Sequence, residues 1–154
     1  NMVDVIGHLN NLIAETTDAN HFVTSFTCRL DRENMKLIYV NAGHNAPFIV
    51  RDEEVLKLEK GSLVVGLFQG ISYEEVEVDL RPGDLLALYT DGIVEAENAE
   101  EAEYSLDRLT GFIKTHRQAG AEELKMMLIE ELSGFVGKKI FKDDVTFILI
   151  KVIG

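Results

Sequence analysis

Two short acidic segments hold the residue types in this chain best suited to chemistry. Asp91 follows the apolar run Leu85-Leu86-Ala87-Leu88-Tyr89 through Thr90 and has Gly92 behind it. A carboxylate is thereby delivered at the tip of a strand-length element with a flexible residue next to it, which is how a metal ligand is presented. Taken alone, Asp91-Gly92 reads more simply as a turn between two strands, because Asp-Gly is a strong hairpin signal. The second segment, Lys142-Asp143-Asp144-Val145-Thr146, opens another apolar run over 147–150. Two strands that each place an Asp at one end can converge on a cation if they are neighbours in a sheet, and carboxylate oxygens suit hard ions such as Mg²⁺ and Mn²⁺. A third stretch, Asn41-Ala42-Gly43-His44-Asn45-Ala46-Pro47, is dense in polar side chains and small residues. Donors there can approach a ligand, although the same residues also make ordinary turns.

The elements that must position these groups follow from periodicity. Val5, Ile6, Leu9, Leu12 and Ile13 recur at helical spacing across 2–16, which predicts an amphipathic helix. From Phe22 the period changes to two, and residues 22–40 read as a hairpin around the turn Asp31-Arg32-Glu33-Asn34. Cys28 falls with the more apolar set and is expected to be a buried, unreactive thiol. A second hairpin is expected over 48–58 around Asp52-Glu53-Glu54, then a loop over 61–70 with apolar anchors, then a half-buried strand over 73–80. The acidic stretch holding Glu95, Glu97, Glu100, Glu101 and Glu103 reads as a solvated loop or helix start, since a metal cage needs defined turns between its carboxylates. Stripes at Leu106, Leu109, Phe112 and Ile113, and at Leu124, Met127, Leu128, Leu132 and Phe135, predict two helices before a last strand over 145–153. Strands in a run, then helices, indicate an α+β fold with antiparallel sheet.

Composition narrows the functional classes. With 154 residues, 17.2 kDa and 46% apolar residues, the chain can bury a core as one domain over 1–154. A formal charge of −12 and a pI near 4.7 disfavour nucleic acid and anionic membrane as partners. No stretch approaches the ~20 apolar residues of a membrane span, and no signal segment opens the chain, so a cytoplasmic location is expected. The 61–70 segment has neither a phosphate-loop Lys nor dinucleotide glycine spacing, which argues against a nucleotide site.

The segments Asn41 to Asn45, Leu85 to Gly92 and Asp143 to Thr146, in this order with Phe22-Val23-Thr24 ahead of them, resemble the metal-dependent protein phosphatases of type 2C. The branch they resemble is the bacterial SpoIIE/RsbU-like one, from about Leu9 to the C-terminus. The resemblance implies an antiparallel β-sandwich flanked by helices, with a two-metal Mn²⁺ or Mg²⁺ site between the sheets. It implies hydrolysis of phosphoserine or phosphothreonine on a regulatory protein, of the anti-sigma-factor antagonist type, by a two-metal-activated water without a covalent phosphoenzyme. Asp91 and Asp143 match the metal ligands, with Asp144 beside the second. His44 stands where the wider superfamily has an acidic residue, so with Asn41 and Asn45 it is expected to orient phosphate or water.

The early metal motifs of that family have no counterpart before His21, where Asp4 and Asp18 stand on a helix and in a loop. The chain is therefore expected to match the C-terminal three-quarters of the domain and to be weak or inactive by itself. The alternative is a non-catalytic interaction module that homodimerises through exposed sheet edges.

Overall fold

The computed structural model describes residues 1–18, 21–138 and 140–153. In chain order the elements are α1 (Met2–Thr16), β1 (Ser25–Asp31), β2 (Lys36–Ala42), β3 (Phe48–Arg51), β4 (Glu54–Lys57), β5 (Val76–Asp79), β6 (Leu85–Tyr89), α2 (Asp91–Val94), α3 (Leu106–Thr115), α4 (Ala121–Val136) and β7 (Phe147–Lys151). They fall into two compact units, Asn1–Ala46 with Glu59–Arg81 and Pro47–Leu58 with Pro82–Gly154. Each unit contains one antiparallel sheet, so the α+β class expected from sequence is the one observed.

In the first unit the sheet order is β1-β2-β5. Asp31 makes the β1–β2 turn by accepting from the backbone N–H and the side-chain amide of Asn34, both at 3.0 Å, a local bond typical of Asx turns. α1 is capped by the Asn1 side chain, which accepts from the Asp4 N–H at 2.8 Å. Of its apolar set, Ile6 and Ile13 turn into a core with Val40, Ala42, Val65 and Tyr73, while Val5, Leu9 and Leu12 are exposed. The inward face also holds a polar residue, the fully buried Asn10. Its amide accepts from the Gly66 N–H (2.9 Å) and the Tyr73 hydroxyl (3.2 Å) and donates to the Phe68 carbonyl (2.8 Å). A buried amide is tolerated only when satisfied in this way, and here it ties α1 to the 61–70 loop. The expected strand over 22–30 begins later, at Ser25, because Val23 makes only an isolated bridge to Val65.

In the second unit the order is β4-β3-β6-β7. One face of this sheet, from Phe48, Val50, Leu85, Ala87 and Tyr89, packs against Ile93 of α2, Leu109 and Ile113 of α3, and Leu124, Leu128, Leu132 and Val136 of α4. Within α3 and within α4 these residues recur every four positions, about one helical turn, as a single buried stripe requires. The β3–β4 hairpin turns through Asp52 at φ 51°, a backbone region Asp tolerates better than most residues. At the start of β6, Asp84 receives a fork from Arg51, Nε to Oδ1 at 2.9 Å and Nη2 to Oδ2 at 2.6 Å. Among the described residues no helix is long and apolar enough to cross a membrane.

Candidate active site

β6 and β7 are neighbours and run antiparallel, with Tyr89 opposite Phe147. The C-terminal end of β6 therefore lies beside the start of β7, and residues 91 and 143–144 emerge at the same rim of the sheet. The ladder runs one step beyond both strands, where the Thr90 N–H donates to the Thr146 carbonyl at 3.0 Å. The reciprocal bond is rerouted. The Thr90 carbonyl accepts from the Ile93 N–H (3.2 Å) in the first turn of α2, so the Thr146 N–H donates instead to the Thr90 hydroxyl oxygen at 3.2 Å. That hydroxyl donates to the Asp144 carbonyl at 3.1 Å and lies 3.4 Å from the Thr146 carbonyl.

Asp91 is the first residue of α2, so the hairpin turn that Asp-Gly suggests is replaced by a helix start. Gly92 is buried and serves through its size: a Cβ there would overlap the Asp144 carbonyl oxygen and sit 2.9 Å from the Asp144 carbonyl carbon and 3.4 Å from that of Asp143. The 143–144 backbone thus lies directly against the peptide that follows Asp91. Oδ1 of Asp91 accepts from the Gly92 N–H at 3.0 Å, and Oδ1 of Asp143 from the Asp144 N–H at 2.7 Å. These bonds orient the carboxylates, and all three Asp side chains at the rim are solvent-exposed.

This donor set fits a hard divalent cation in kind. Magnesium-type ions are commonly held by one or two carboxylates, with water and substrate phosphate completing the shell. Among the described residues no group of three or more His, Cys, Asp or Glu side chains is gathered as for a closed protein cage. Beside the rim, Lys142 pairs with Glu97 at 2.5 Å and joins the acidic 95–103 loop to the 142–144 segment. The hydrogen bond to Glu97, with Glu101 and Glu103 nearby, holds the Lys142 ammonium above its ordinary range.

The 41–46 loop belongs to the first unit. Asn41 is buried and both ends of its amide are used: Oδ1 accepts from the His44 N–H at 2.9 Å and Nδ2 donates to the His44 carbonyl at 3.1 Å. It braces the loop from within. His44 is partly exposed, with Nδ1 in hydrogen-bonding contact with the Thr24 hydroxyl at 3.2 Å, and Asn45 is partly exposed beside it. His44 and Asn41 line a surface hollow of about 390 Å³ together with Glu59 and Ser62. Gly43 (φ 70°) and Gly61 admit close backbone approach, since a Cβ at 43 would overlap Val64 and one at 61 would sit 2.6 Å from the Asn41 carbonyl oxygen.

Thr90 has a role that its residue type alone does not announce. Its signal was a hydroxyl residue standing between the last strand position and a helix start, where one carbonyl is wanted by both the ladder and the helix. Arg51 and Asp84 gave no local signal at all, because they are 33 residues apart.

The fold and rim define an α+β protein of two antiparallel sheets with paired acidic tips suited to a divalent cation. The family model described as Stage II sporulation protein E (SpoIIE) matches residues 1–153, and the chain belongs to the SpoIIE family. It is 26% identical over 149 residues to phosphoserine phosphatase RsbU of Bacillus subtilis (strain 168), covering 96% of this chain and 44% of RsbU. It is similar in fold to the SiaA-PP2C domain of Pseudomonas aeruginosa, with a TM-score of 0.85 at 19% identity over 97% of this chain and 60% of that one. It is also similar to the Mn-presoaked phosphatase domain of the cell fate determinant SpoIIE from Bacillus subtilis, with a TM-score of 0.71 at 21% identity over 100% and 66% of the two chains. The chain thus spans less than half the length of RsbU.

Proposed function

We propose that the chain is the catalytic part of a metal-dependent serine/threonine phosphoprotein phosphatase. The observation that supports it most is the juxtaposition of the Asp91 turn and the Asp143–Asp144 turn at one rim of the β4-β3-β6-β7 sheet, in a chain of the SpoIIE family. Asp91 and Asp143 are the residues that would hold Mn²⁺ or Mg²⁺, with Asp144 adjoining them. When bound, such an ion supplies Lewis-acid activation of water and neutralises phosphate charge. The protein orients the two carboxylates by spending one oxygen of each on a neighbouring backbone N–H.

His44 and Asn45 are proposed to orient phosphate or water. Thr24 holds the His44 ring through Nδ1, which leaves Nε2 as the nitrogen available to a ligand, while Asn41 sets the loop conformation. The substrate is proposed to be a phosphoserine- or phosphothreonine-bearing regulator of the anti-sigma-factor antagonist type, in line with the phosphoserine phosphatase named among the relatives. Self-association is proposed along the outer edges of β1 and β7, each paired on one side only among the described residues, and is read by light scattering as monomer or dimer.

The test is release of inorganic phosphate from a phosphoserine peptide with Mn²⁺ or Mg²⁺ by a version extended upstream, since this chain by itself is expected to be weak or inactive. A rate that disappears with chelator and falls on the order of 100-fold in Asp91→Asn and in Asp143→Asn is expected, because each removes a charged ligand. Equal, metal-independent rates in wild type and both variants would overturn the reading.

A further inference from the structure

Thr90 occupies a position with two conflicting duties. It is the last residue whose N–H belongs to the β6–β7 ladder and the first whose carbonyl belongs to α2. With that carbonyl turned to the Ile93 N–H, the Thr146 N–H opposite makes its bond to the Thr90 side chain in place of the ladder bond. The Thr90 hydroxyl accepts that bond (3.2 Å) and returns a donor to the Asp144 carbonyl (3.1 Å). An N-cap Thr ordinarily turns its oxygen to the N–H groups of its own helix, and Thr90 makes no such bond. The bonds that the hydroxyl makes are directed across to the segment that bears Asp143.

We infer that Thr90 is a positioning residue for the acidic rim: its hydroxyl clasps the 143–146 segment to the root of α2 and so sets the placement of Asp143 relative to Asp91. Gly92 leaves the room and Thr90 supplies the bond. The effect on metal rests on the reading under Proposed function, whereas the clasp itself is a property of the chain alone. Removing a group that orients a metal ligand typically costs 10–100-fold in metal affinity. Valine has nearly the shape and stiffness of threonine but no hydroxyl, and serine keeps the hydroxyl, so the two variants separate hydrogen bonding from packing.

The experiment is titration of the full chain with Mn²⁺ alone, read by the loss of the free-ion paramagnetic resonance signal, for wild type, Thr90→Val, Thr90→Ser and Asp91→Asn. Thermal unfolding is followed in parallel, and Thr146 amide exchange is followed by NMR. The expected result is affinity about 10–100-fold weaker in Thr90→Val and close to wild type in Thr90→Ser, with the Thr146 amide protected in wild type and Thr90→Ser only. Folded Thr90→Val with wild-type affinity, or Thr90→Ser weakened as much as Thr90→Val, overturns the inference. Absence of Mn²⁺ uptake by the wild type counts against the metal reading, and amide exchange then decides the clasp. Protection at Thr146 comparable to the β7 amides supports it, also where Thr90→Val does not fold, and exchange at the rate of an open loop overturns it.

Discussion

Gly92 and Asp144 are in contact through an atom that glycine lacks: the space a Cβ would fill at position 92 is taken by the Asp144 carbonyl oxygen. The φ of Gly92 is not in the left-handed region, unlike Gly43, Gly66, Gly70, Gly83 and Gly137. Its requirement is room.

Gly92→Ala must therefore push the 143–144 backbone away, because the clash is with main chain and not with the end of a flexible side chain. We expect a loss of about 1–3 kcal/mol in stability, typical of overpacking, measured by urea denaturation. Mn²⁺ affinity is expected to fall by about 10-fold or more, measured by titration under conditions where the variant is folded.

Asn41→Ala removes both bonds that close the His44 turn. Each such bond contributes roughly 0.5–1.5 kcal/mol, so a loss of about 1–3 kcal/mol is expected. Asn41→Asp keeps the acceptor for the His44 N–H but sets a second oxygen against the His44 carbonyl and buries a charge, so it should cost at least as much. Chemical shifts of the His44 ring, compared between the two variants, report whether the loop has moved.

The Arg51–Asp84 fork is the most buried ion pair described, with side-chain exposures of 14% and 1%. Breaking a buried pair by removing one partner costs about 3–5 kcal/mol. Arg51→Met and Asp84→Ala should each show that loss in thermal or urea unfolding. The double replacement should be much milder than the sum, and a fully additive result would count against a coupled buried pair.

All four tyrosines, Tyr39, Tyr73, Tyr89 and Tyr104, titrate above the ordinary 10.0, foremost because burial disfavours the phenolate. Tyr104 reaches about 12, with Glu131 adding to the effect of burial. The folded state then holds these protons more tightly than the unfolded chain. This contribution to stability is complete below about pH 10 and is lost as pH rises from there through about 12. Phenolate absorbance should rise only above 10 in the folded chain and near 10 in urea. Tyr104→Phe should flatten the fall in stability at the top of that range.

Much of this was legible from local pattern. The recurrence of Leu124, Leu128 and Leu132 every four residues, about one helical turn, and the apolar run into Asp91 placed α4 and β6, because one buried face imposes its period on neighbouring residues. Other features had no local trace. Val5, Leu9 and Leu12 share the spacing of Ile6 and Ile13, yet they face outward while the polar Asn10 is buried, because the 61–70 loop offers donors and an acceptor that only its folded path presents. Helical spacing says that residues share a face and leaves open which side of a broad stripe the sheet will cover.

The sequence by itself determined that carboxylates stand at the ends of two apolar strands, since residue type and period are written in the chain. Only the tertiary structure decided that these strands are neighbours, that Gly92 must be small, and that the Thr90 hydroxyl takes over the work of a carbonyl already committed to α2. The physical reason is that hydrogen bonds and steric contact act over a few ångströms of space, whatever the separation along the chain, and more than 50 residues lie between Thr90 and its partner Thr146.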